Sequence, residues 1–297
     1  MKRILRALIL AGLCVACLFT AFACDGGGEL DGEKGIICKK LTGEDFYTVY
    51  DYVPENDQTT VLDIDQAVKA KYGEEAVVGR INANTFSGDA TLLEVIVPSS
   101  VTEIRAGAFD KMRRLQKITL PFVGRTANAD SFIGETGDAI DKSIDDEKTF
   151  AYIFGTEEYA YGAKITVNYG ADETKDFYIP SSLSVVTIAP KDAGYKIPAY
   201  AFNGTNQISE VKLTSNVKVI GINAFENAKS LSKINLPSSI TNVRENAFKG
   251  ASNLKDLIIE AIDMDIEVGA FKGCEKLDVK IVKNSYVVKD VDKDIFD

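Results

Sequence analysis

The sequence predicts a repeat solenoid, with one short parallel strand in each 23-residue unit and one insertion that interrupts the units. The first observation is the regular spacing of phenylalanine. Intervals of 23 residues separate Phe202, Phe225, Phe248 and Phe271, and the same interval separates Phe86 from Phe109. The second observation is that aliphatic residues keep constant offsets from each phenylalanine. One unit cannot bury these apolar columns alone, whereas stacked units cover one another and form a solenoid.

The strand of each unit is predicted from the residues that follow phenylalanine. Apolar and polar residues alternate there in an L-x-x-V-x-I pattern, which ends at Pro98, Pro121 or Pro237 in three units. This alternation is typical of a short strand with one buried face. The S-S-V-x-x-I stretch that comes next is expected to turn the chain. The aliphatic columns five residues before and six residues after phenylalanine are Ile81, Ile104, Ile197, Ile220, Val243 and Ile266, and Leu92, Leu115, Ile208, Leu231, Leu254 and Leu277.

The same offsets predict two further features. A glycine often stands two residues after phenylalanine, where a left-handed backbone turn would need it; these residues are Gly88, Gly204, Gly250 and Gly273. A seventh, divergent unit is predicted around Phe177, with Leu183, Val186 and Ile188 at the usual positions.

These columns carry a family resemblance. The unit LSKINLPSSITNVRENAFKG, residues 231–250, resembles the BspA-type subclass of bacterial leucine-rich repeats. Residues 120–124, 150–155 and 179–183 look like an interruption seen repeatedly in that family, and the resemblance covers most of residues 81–282. It implies a right-handed, curved leucine-rich repeat solenoid that is exported, exposed at the surface and assigned to adhesion or to binding of host molecules. It implies no catalytic residue.

Composition excludes several kinds of chemistry. The 297 residues include no histidine and no tryptophan, and 34 basic against 44 acidic residues give a net charge of −10. Without imidazole, Ser-His-Asp and Cys-His catalysis is impossible, and the commonest ligand of catalytic zinc is missing. The negative charge disfavours nucleic acid as a partner. We therefore predict no catalytic residue, no metal site, no cofactor and no nucleic-acid partner.

The N-terminus predicts export. A basic start precedes an apolar run from Ala7 to Ala23, and Ala21 and Ala23 have the A-x-A spacing of a cleavage site. Cys24 follows, which resembles a bacterial lipoprotein signal and implies a lipid on Cys24 and anchoring to the membrane outside the cytoplasm. Cys17 is a second candidate. A retained anchor or an ordinary secretory signal would explain the same run.

The domain organisation follows from these segments. A solenoid needs its terminal apolar faces covered, so the residues before the first repeat are predicted to form a cap, with a strand over 46–53 and a helix that starts at Asp65 and stops at Gly73. Cys38 and Cys274 are predicted to be structural free thiols. The predicted segments are an export signal (1–23), a flexible tether (24–37), an N-terminal cap (38–80), leucine-rich repeats (81–121), an aromatic-rich insertion (122–176), leucine-rich repeats (177–282) and an acidic C-terminal tail (283–297).

The insertion supplies the candidate ligand-binding residues. Exposed tyrosines make good interface residues, and the candidates are Tyr152, Tyr159, Tyr161 and Tyr169. The alternative, which we favour, is that the aromatic residues pack the insertion against the solenoid. The insertion also holds an acidic run, interpreted as a solvated face, although a carboxylate pair for glycoside hydrolysis is a distant alternative. The run is Asp138, Asp141, Asp145, Asp146 and Glu147.

The outer face of the predicted sheet carries charges of both signs. Strands of neighbouring units lie about 4.8 Å apart, so opposite charges at the same offset can pair laterally. The charged column consists of Glu94, Lys117, Glu210, Lys233 and Asp256. These features together predict a non-catalytic scaffold at the cell surface that binds a protein or a glycan. The alternative is a structural or assembly protein of the cell envelope.

Overall fold

The computed structural model describes residues 33–127, 146–169, 174–261 and 263–281. The predicted export signal and lipid site at Cys24 lie outside these ranges, as do Asp138, Asp141 and Asp145. From Lys34 onward the described residues belong to one compact unit.

The described residues form eighteen strands, one α-helix and two short 3-10 helices. In chain order they are β1 (Gly35–Lys39), β2 (Tyr47–Val53), β3 (Val61–Asp63), α1 (Ile64–Tyr72), β4 (Val78–Ile81), β5 (Glu94–Ile96), β6 (Glu103–Ile104), β7 (Lys117–Leu120), 3-10 helices at Asp146–Lys148 and Phe150–Ile153, β8 (Gly162–Asn168), β9 (Thr174–Pro180), β10 (Val185–Ile188), β11 (Tyr195–Ile197), β12 (Glu210–Leu213), β13 (Val217–Ile220), β14 (Lys233–Leu236), β15 (Asn242–Val243), β16 (Asp256–Ile259), β17 (Asp265–Ile266) and β18 (Asp278–Ile281).

The main sheet has eight parallel strands in the order β3-β5-β7-β10-β12-β14-β16-β18. Each repeat contributes one strand, and the strand pairs with those of the repeats before and after it. The inner side chains, such as Val95, Ile118 and Ile234, are buried because the alternation turns them all toward one core. The predicted leucine-rich repeat solenoid is therefore confirmed.

Each regular repeat also contains a second short strand, which the sequence did not predict. The S-S-V-x-x-I stretch was expected only to turn the chain, but its last aliphatic residue lies in a strand. Those strands form two separate parallel ladders, β4-β6 and β11-β13-β15-β17, and β1 and β2 extend the first of them. Strands β6 and β15 have two residues each, because only the aliphatic residue and the residue before it form backbone pairs with the adjacent repeat.

The Ala-Phe turns close each repeat with a stack of rings. Phe202, Phe225, Phe248 and Phe271 stack with centroids 4.9–5.1 Å apart and planes within 4° of parallel. The backbone follows the same repeat, since Phe225 N–H donates to the carbonyl of Ala247 (2.7 Å) in the next unit. The predicted left-handed glycines are confirmed two residues after phenylalanine, with φ between 70° and 79°. Residues two positions before phenylalanine are left-handed as well, for example Asn223 and Asn246.

The ring stack continues through the interruption. Phe109 contacts Phe154 (6.3 Å), Phe154 contacts Phe150 (5.2 Å), and Phe150 stacks on Phe202 (4.8 Å). The 3-10 helix at Phe150–Ile153 therefore replaces an Ala-Phe turn. The prediction that Phe177 holds this place is wrong, because Phe177 lies in β9, buried on the inner side of an antiparallel hairpin with β8.

The cap residues 38–80 contain β2, β3, α1 and β4. Helix α1 begins one residue earlier than predicted: the N-cap is Asp63, whose side chain accepts from Gln66 N–H, while Asp65 lies in the first turn and pairs with Lys69. The predicted stop at Gly73 is confirmed. Cys38 and Cys274 are buried and free of disulfide bonds. Across the described ranges, no helix is long and apolar enough to cross a membrane.

Candidate functional site

The outer face of the eight-stranded sheet is a surface to which successive repeats contribute side chains. Its side chains form two columns, because every second residue of each strand points away from the core. Strand register aligns the first column from β5 to β16 and aligns the second column except between β12 and β14, where the pairing stops at Val211–Ile234. The first column contains Glu94, Lys117, Val185, Glu210, Lys233 and Asp256, and the second contains Ile96, Thr119, Thr187, Lys212, Asn235 and Ile258.

Charges on this face pair between repeats, as the sequence predicted. Lys233 Nζ lies 2.8 Å from Glu210 Oε1, and Lys117 Nζ lies 3.6 Å from Glu94 Oε2. Each pair is partly exposed and contributes about 0.2–1 kcal/mol. The pairs stabilise the sheet and keep part of each side chain exposed to solvent.

Asn235 holds two strands together on the same face. Leu213 N–H donates to Asn235 Oδ1 (3.0 Å), and Asn235 Nδ2 donates back to the carbonyl of Leu213 (2.9 Å). This side chain continues the pairing where the β12–β14 ladder, registered at Glu210–Lys233 and Val211–Ile234, stops. Asn235 is therefore a structural residue of the face.

The β8–β9 hairpin of the insertion docks on the turn side of the solenoid. Asn168 N–H in β8 donates to Oδ1 of the buried Asn203 (3.0 Å). The carbonyl of Thr166 approaches Gly204 so closely that a Cβ there would lie 2.6 Å from it. The β8–β9 hairpin thus packs against the turn that follows Phe202, and these contacts do not involve the outer sheet face.

The four candidate tyrosines lie in different environments. Tyr169 is buried, donates to Asp146 Oδ1 (3.0 Å) and meets Tyr200 edge-on, whereas Tyr161 is 66 % exposed. Tyr152 is half-buried, and burial, with the charge of Glu147, raises its pKa. Only Tyr161, among these four, presents most of its side chain to solvent. The structure does not bring the four rings together as one surface.

Tyr159 lies near Asp110, a carboxylate that no sequence pattern predicted to be part of a site. Its hydroxyl is buried and has no hydrogen-bond partner among the described residues, and burial, together with the charge of Asp110, raises its pKa. Asp110 is itself buried beside the hairpin base, where burial raises its pKa and Lys111 opposes the shift. Lys111 also pairs with Glu157 (2.7 Å). These contacts tie the start of the hairpin to an Ala-Phe turn.

The two described residues of the acidic run form ion pairs. Asp146 pairs with Lys175, and Glu147 lies 2.7 Å from Arg125 Nη1. Arg125 also reaches Glu103, which binds Arg80 as well, so the pairs extend onto the second strands of the repeats. In the described part of the chain, no group of three or more acidic or cysteine residues is placed to hold a metal ion.

Comparison with protein families matches the BspA type leucine rich repeat region in six copies, over residues 76–151 and 173–297. These ranges cover more than half of the chain. The chain belongs to the BspA-type leucine-rich repeat family. The residues between the two matched ranges include β8, which forms the docked hairpin of this BspA-type protein together with β9.

Solved structures of bacterial leucine-rich repeat proteins are similar to this chain. A T. pallidum leucine rich repeat protein is 18% identical, with 82% of this chain and 88% of that one covered and a TM-score of 0.41. A leucine rich cell surface protein from Faecalibacterium prausnitzii is 13% identical (84% and 93% covered, TM-score 0.31). The pneumococcal vaccine antigen PcpA is 16% identical (85% and 81% covered, TM-score 0.28). The comparison with curated proteins returns no match.

Proposed function

We propose that this repeat protein is a non-catalytic binding scaffold outside the cell, which holds a protein or glycan partner on the outer face of its eight-stranded sheet. The observation that carries the proposal is that the described residues leave this face uncovered, and that the β8–β9 hairpin docks elsewhere. Extended surfaces of this kind are what solenoids offer to partners.

The chemistry of the face fits a large polar partner. Its charges alternate in sign, and a neutral β-branched strip of Ile96, Thr119 and Thr187 runs beside them. A surface without a single-sign patch favours contact over many small interactions. It offers no enclosed site for a small substrate.

The test is an array of extracellular-matrix proteins and glycans probed with the full-length chain. Saturable binding is expected to fall at least tenfold in a Lys117→Glu, Lys233→Glu variant, because each change sets two carboxylates side by side. Lys164→Glu is the matched control, since it breaks a similarly exposed ion pair with Asp176 on the hairpin. Equal losses in both variants would refute the sheet face as the binding site.

The alternative function is a structural or assembly protein of the envelope. It would show no binding across the array and one defined complex after cross-linking in intact cells. The mixed-sign ladder supports this alternative too, because its pairs stabilise the sheet without any partner.

Export and lipid anchoring at Cys24 complete the proposal. The basic start, the apolar run and the A-x-A spacing before Cys24 support it. A fatty-acid analogue should label the wild-type chain and fail to label Cys24→Ser. Continued labelling of the variant would refute acylation at this cysteine.

A further inference from the structure

The eight-stranded sheet ends at β3, and one side of this strand pairs with β5. The amides of Leu93 and Glu94 both donate to the carbonyl of Thr60 (2.7 and 3.1 Å). Because peptide groups alternate in direction along a strand, the N–H and C=O of Val61 point away from β5. Within the described residues neither group makes a hydrogen bond. Backbone groups in this state need water or another strand.

A groove of about 690 Å³ runs along this edge of β3. Its other walls are β1 and helix α1, and its apolar lining includes Leu62, Ala67 and Ala70. The volume falls within the usual range of ligand sites, about 300–1,000 Å³. Val61 stands at the mouth with 51 % of its surface exposed.

The neighbouring edge of the cap is closed by side chains. Strand β1 ends its own sheet, and Lys71 Nζ donates to the carbonyls of Lys34 (3.0 Å) and Ile36 (2.8 Å). Cys38 N–H donates to the hydroxyl of Tyr72 (2.8 Å). Open edges promote unwanted pairing, and proteins usually block them with lysine, proline or a bulge. The cap blocks β1 in this way. Strand β3, with the sequence Val-Leu-Asp, has no lysine, proline or bulge, and its edge is limited only by its three-residue length and by helix α1, which follows it directly.

We propose that β3 and this groove bind an extended peptide segment of a partner protein, which adds a ninth strand to the sheet. Backbone pairing with Val61 continues the ladder that β5 and β3 already form. Side chains of the peptide alternate, so the one in register with Leu62 points to the core side, toward Ala67 and Ala70. A small apolar residue fits that place. The site lies at the β3 end of the sheet, beyond the charged pairs from Glu94 to Asp256 on which the proposed function depends, and it adds a class of partner to that function.

The experiment uses a displayed library of random hexapeptides, selected on the immobilised full-length chain. Enriched peptides are expected to alternate, with β-branched or small apolar residues at every second position, and to bind saturably as synthetic probes. N-methylation of the central residue should weaken binding at least tenfold, because it removes a backbone donor. Failure to enrich any peptide would overturn the proposal.

Two variants locate the site. Val61→Pro removes only the outward N–H and suits an edge strand, so the fold is expected to persist while affinity falls at least tenfold. Val61→Thr, which keeps the N–H, is the control. Ala70→Arg fills the groove from the helix and should also abolish binding, whereas Ala160→Arg on an exposed loop should not. Circular dichroism verifies the fold of each.

Three outcomes would contradict the site. If the enriched peptides bind the Val61→Pro variant as tightly as they bind the wild type, the peptide-binding site lies elsewhere. Concentration-dependent dimerisation abolished by the same substitution would show that the edge serves a second copy of this chain. Loss of peptide binding in the Lys117→Glu, Lys233→Glu variant would assign the peptide to the sheet face, so this proposal and the proposed function can fail separately.

Discussion

Two glycines in one repeat column differ in what surrounds them. Gly88 and Gly250 both follow phenylalanine by two residues and have φ of 79° and 72°. A Cβ at Gly88 would meet nothing within 4 Å, whereas a Cβ at Gly250 would lie 2.6 Å from Asn227 Oδ1. The left-handed backbone costs a non-glycine residue about 1–2 kcal/mol at either place. Crowding adds to this cost only at Gly250.

We therefore expect Gly250→Ala to lower the free energy of unfolding by more than Gly88→Ala, which should cost about 1–2 kcal/mol. Urea unfolding followed by circular dichroism measures both. In an Asn227→Gly background the cost of Gly250→Ala should fall toward that of Gly88→Ala, because the crowding atom is gone. Equal costs in the wild-type background would contradict a role for the asparagine.

Cys274 is a buried thiol whose environment changes its acidity. Burial raises its pKa from 9.0 to about 12, and its Sγ lies 3.2 Å from the carbonyl of Phe248. The unfolded chain loses this proton near pH 9, while the folded chain keeps it to about pH 12. Unfolding therefore releases a proton in this window, so the stabilising effect is complete below pH 9 and decreases as the pH rises.

Cys274→Ala removes this titration with little change in packing, since Ala228 and Ala251 hold the same column in other repeats. The stability of wild type relative to the variant should decrease between pH 9 and 11, by about 1.4 kcal/mol per pH unit at most. Burial also raises the pKa of Tyr52 to about 12, but Tyr52 is present in both proteins, so its contribution cancels in the comparison. Parallel pH profiles would show that the thiol is not buried in the folded chain.

At the scale of elements, Tyr195 bridges the break between the two ladders of second strands. It begins β11, and its hydroxyl accepts a hydrogen bond from Val123 N–H (2.8 Å) in the repeat before the break. Burial raises the pKa of this hydroxyl. No described strand pairs with β11 on this side, so a side chain supplies the acceptor that a neighbouring carbonyl supplies elsewhere.

Tyr195→Phe should lower the free energy of unfolding by about 1–3 kcal/mol, because the Val123 amide loses its partner in a partly buried place. Tyr161→Phe, at an exposed position, should change it by less than about 0.5 kcal/mol. Chemical denaturation measures both, and hydrogen exchange at Val123 should accelerate only in the first. Unchanged exchange would mean that water replaces the hydroxyl.

Sequence patterns predicted the elements that repeat and failed where the period breaks. The 23-residue period fixes strand register, so it also predicted the pairs Glu94–Lys117 and Glu210–Lys233. The second strands pair over as few as two residues, which is too short for an alternating pattern to show. Leu183 has its predicted position, but the rings that complete the stack before it belong to Phe150 and Phe154. These residues precede the β8–β9 hairpin in the sequence, and the 23-residue spacing could not predict that the hairpin lies between them and Leu183.

The groove at β3 could not be predicted for a different reason. Its walls come from β1, β3 and α1, which meet only through tertiary packing. The carbonyl of Thr60 accepts hydrogen bonds from β5, so the peptide groups of the next residue, Val61, point to the groove. No residue pattern in the sequence reports the direction of a peptide group.

At the scale of the whole molecule, the repeats form one continuous stack despite the interruption. β7 pairs with β10 over four residues across it, and Phe154 and Phe150 carry the ring stack. In a solenoid each unit contacts only its neighbours, so stability is close to a sum of unit terms and interface terms. Energetic coupling between substitutions should therefore depend on how many units separate them.

Double-mutant cycles test this dependence with Phe→Leu changes, which keep an apolar side chain in the stack. Phe225 and Phe248 stack at 5.1 Å, so their combined effect should depart from the sum of the single effects by about 0.5–3 kcal/mol. Phe86 and Phe271 lie at opposite ends of the stack, and their effects should add within about 0.5 kcal/mol. Unfolding is followed by circular dichroism and by tyrosine fluorescence, since the chain has no tryptophan. Coupling of equal size in both pairs would mean that the solenoid responds as one body, because a nearest-neighbour stack cannot transmit a substitution across several intact units.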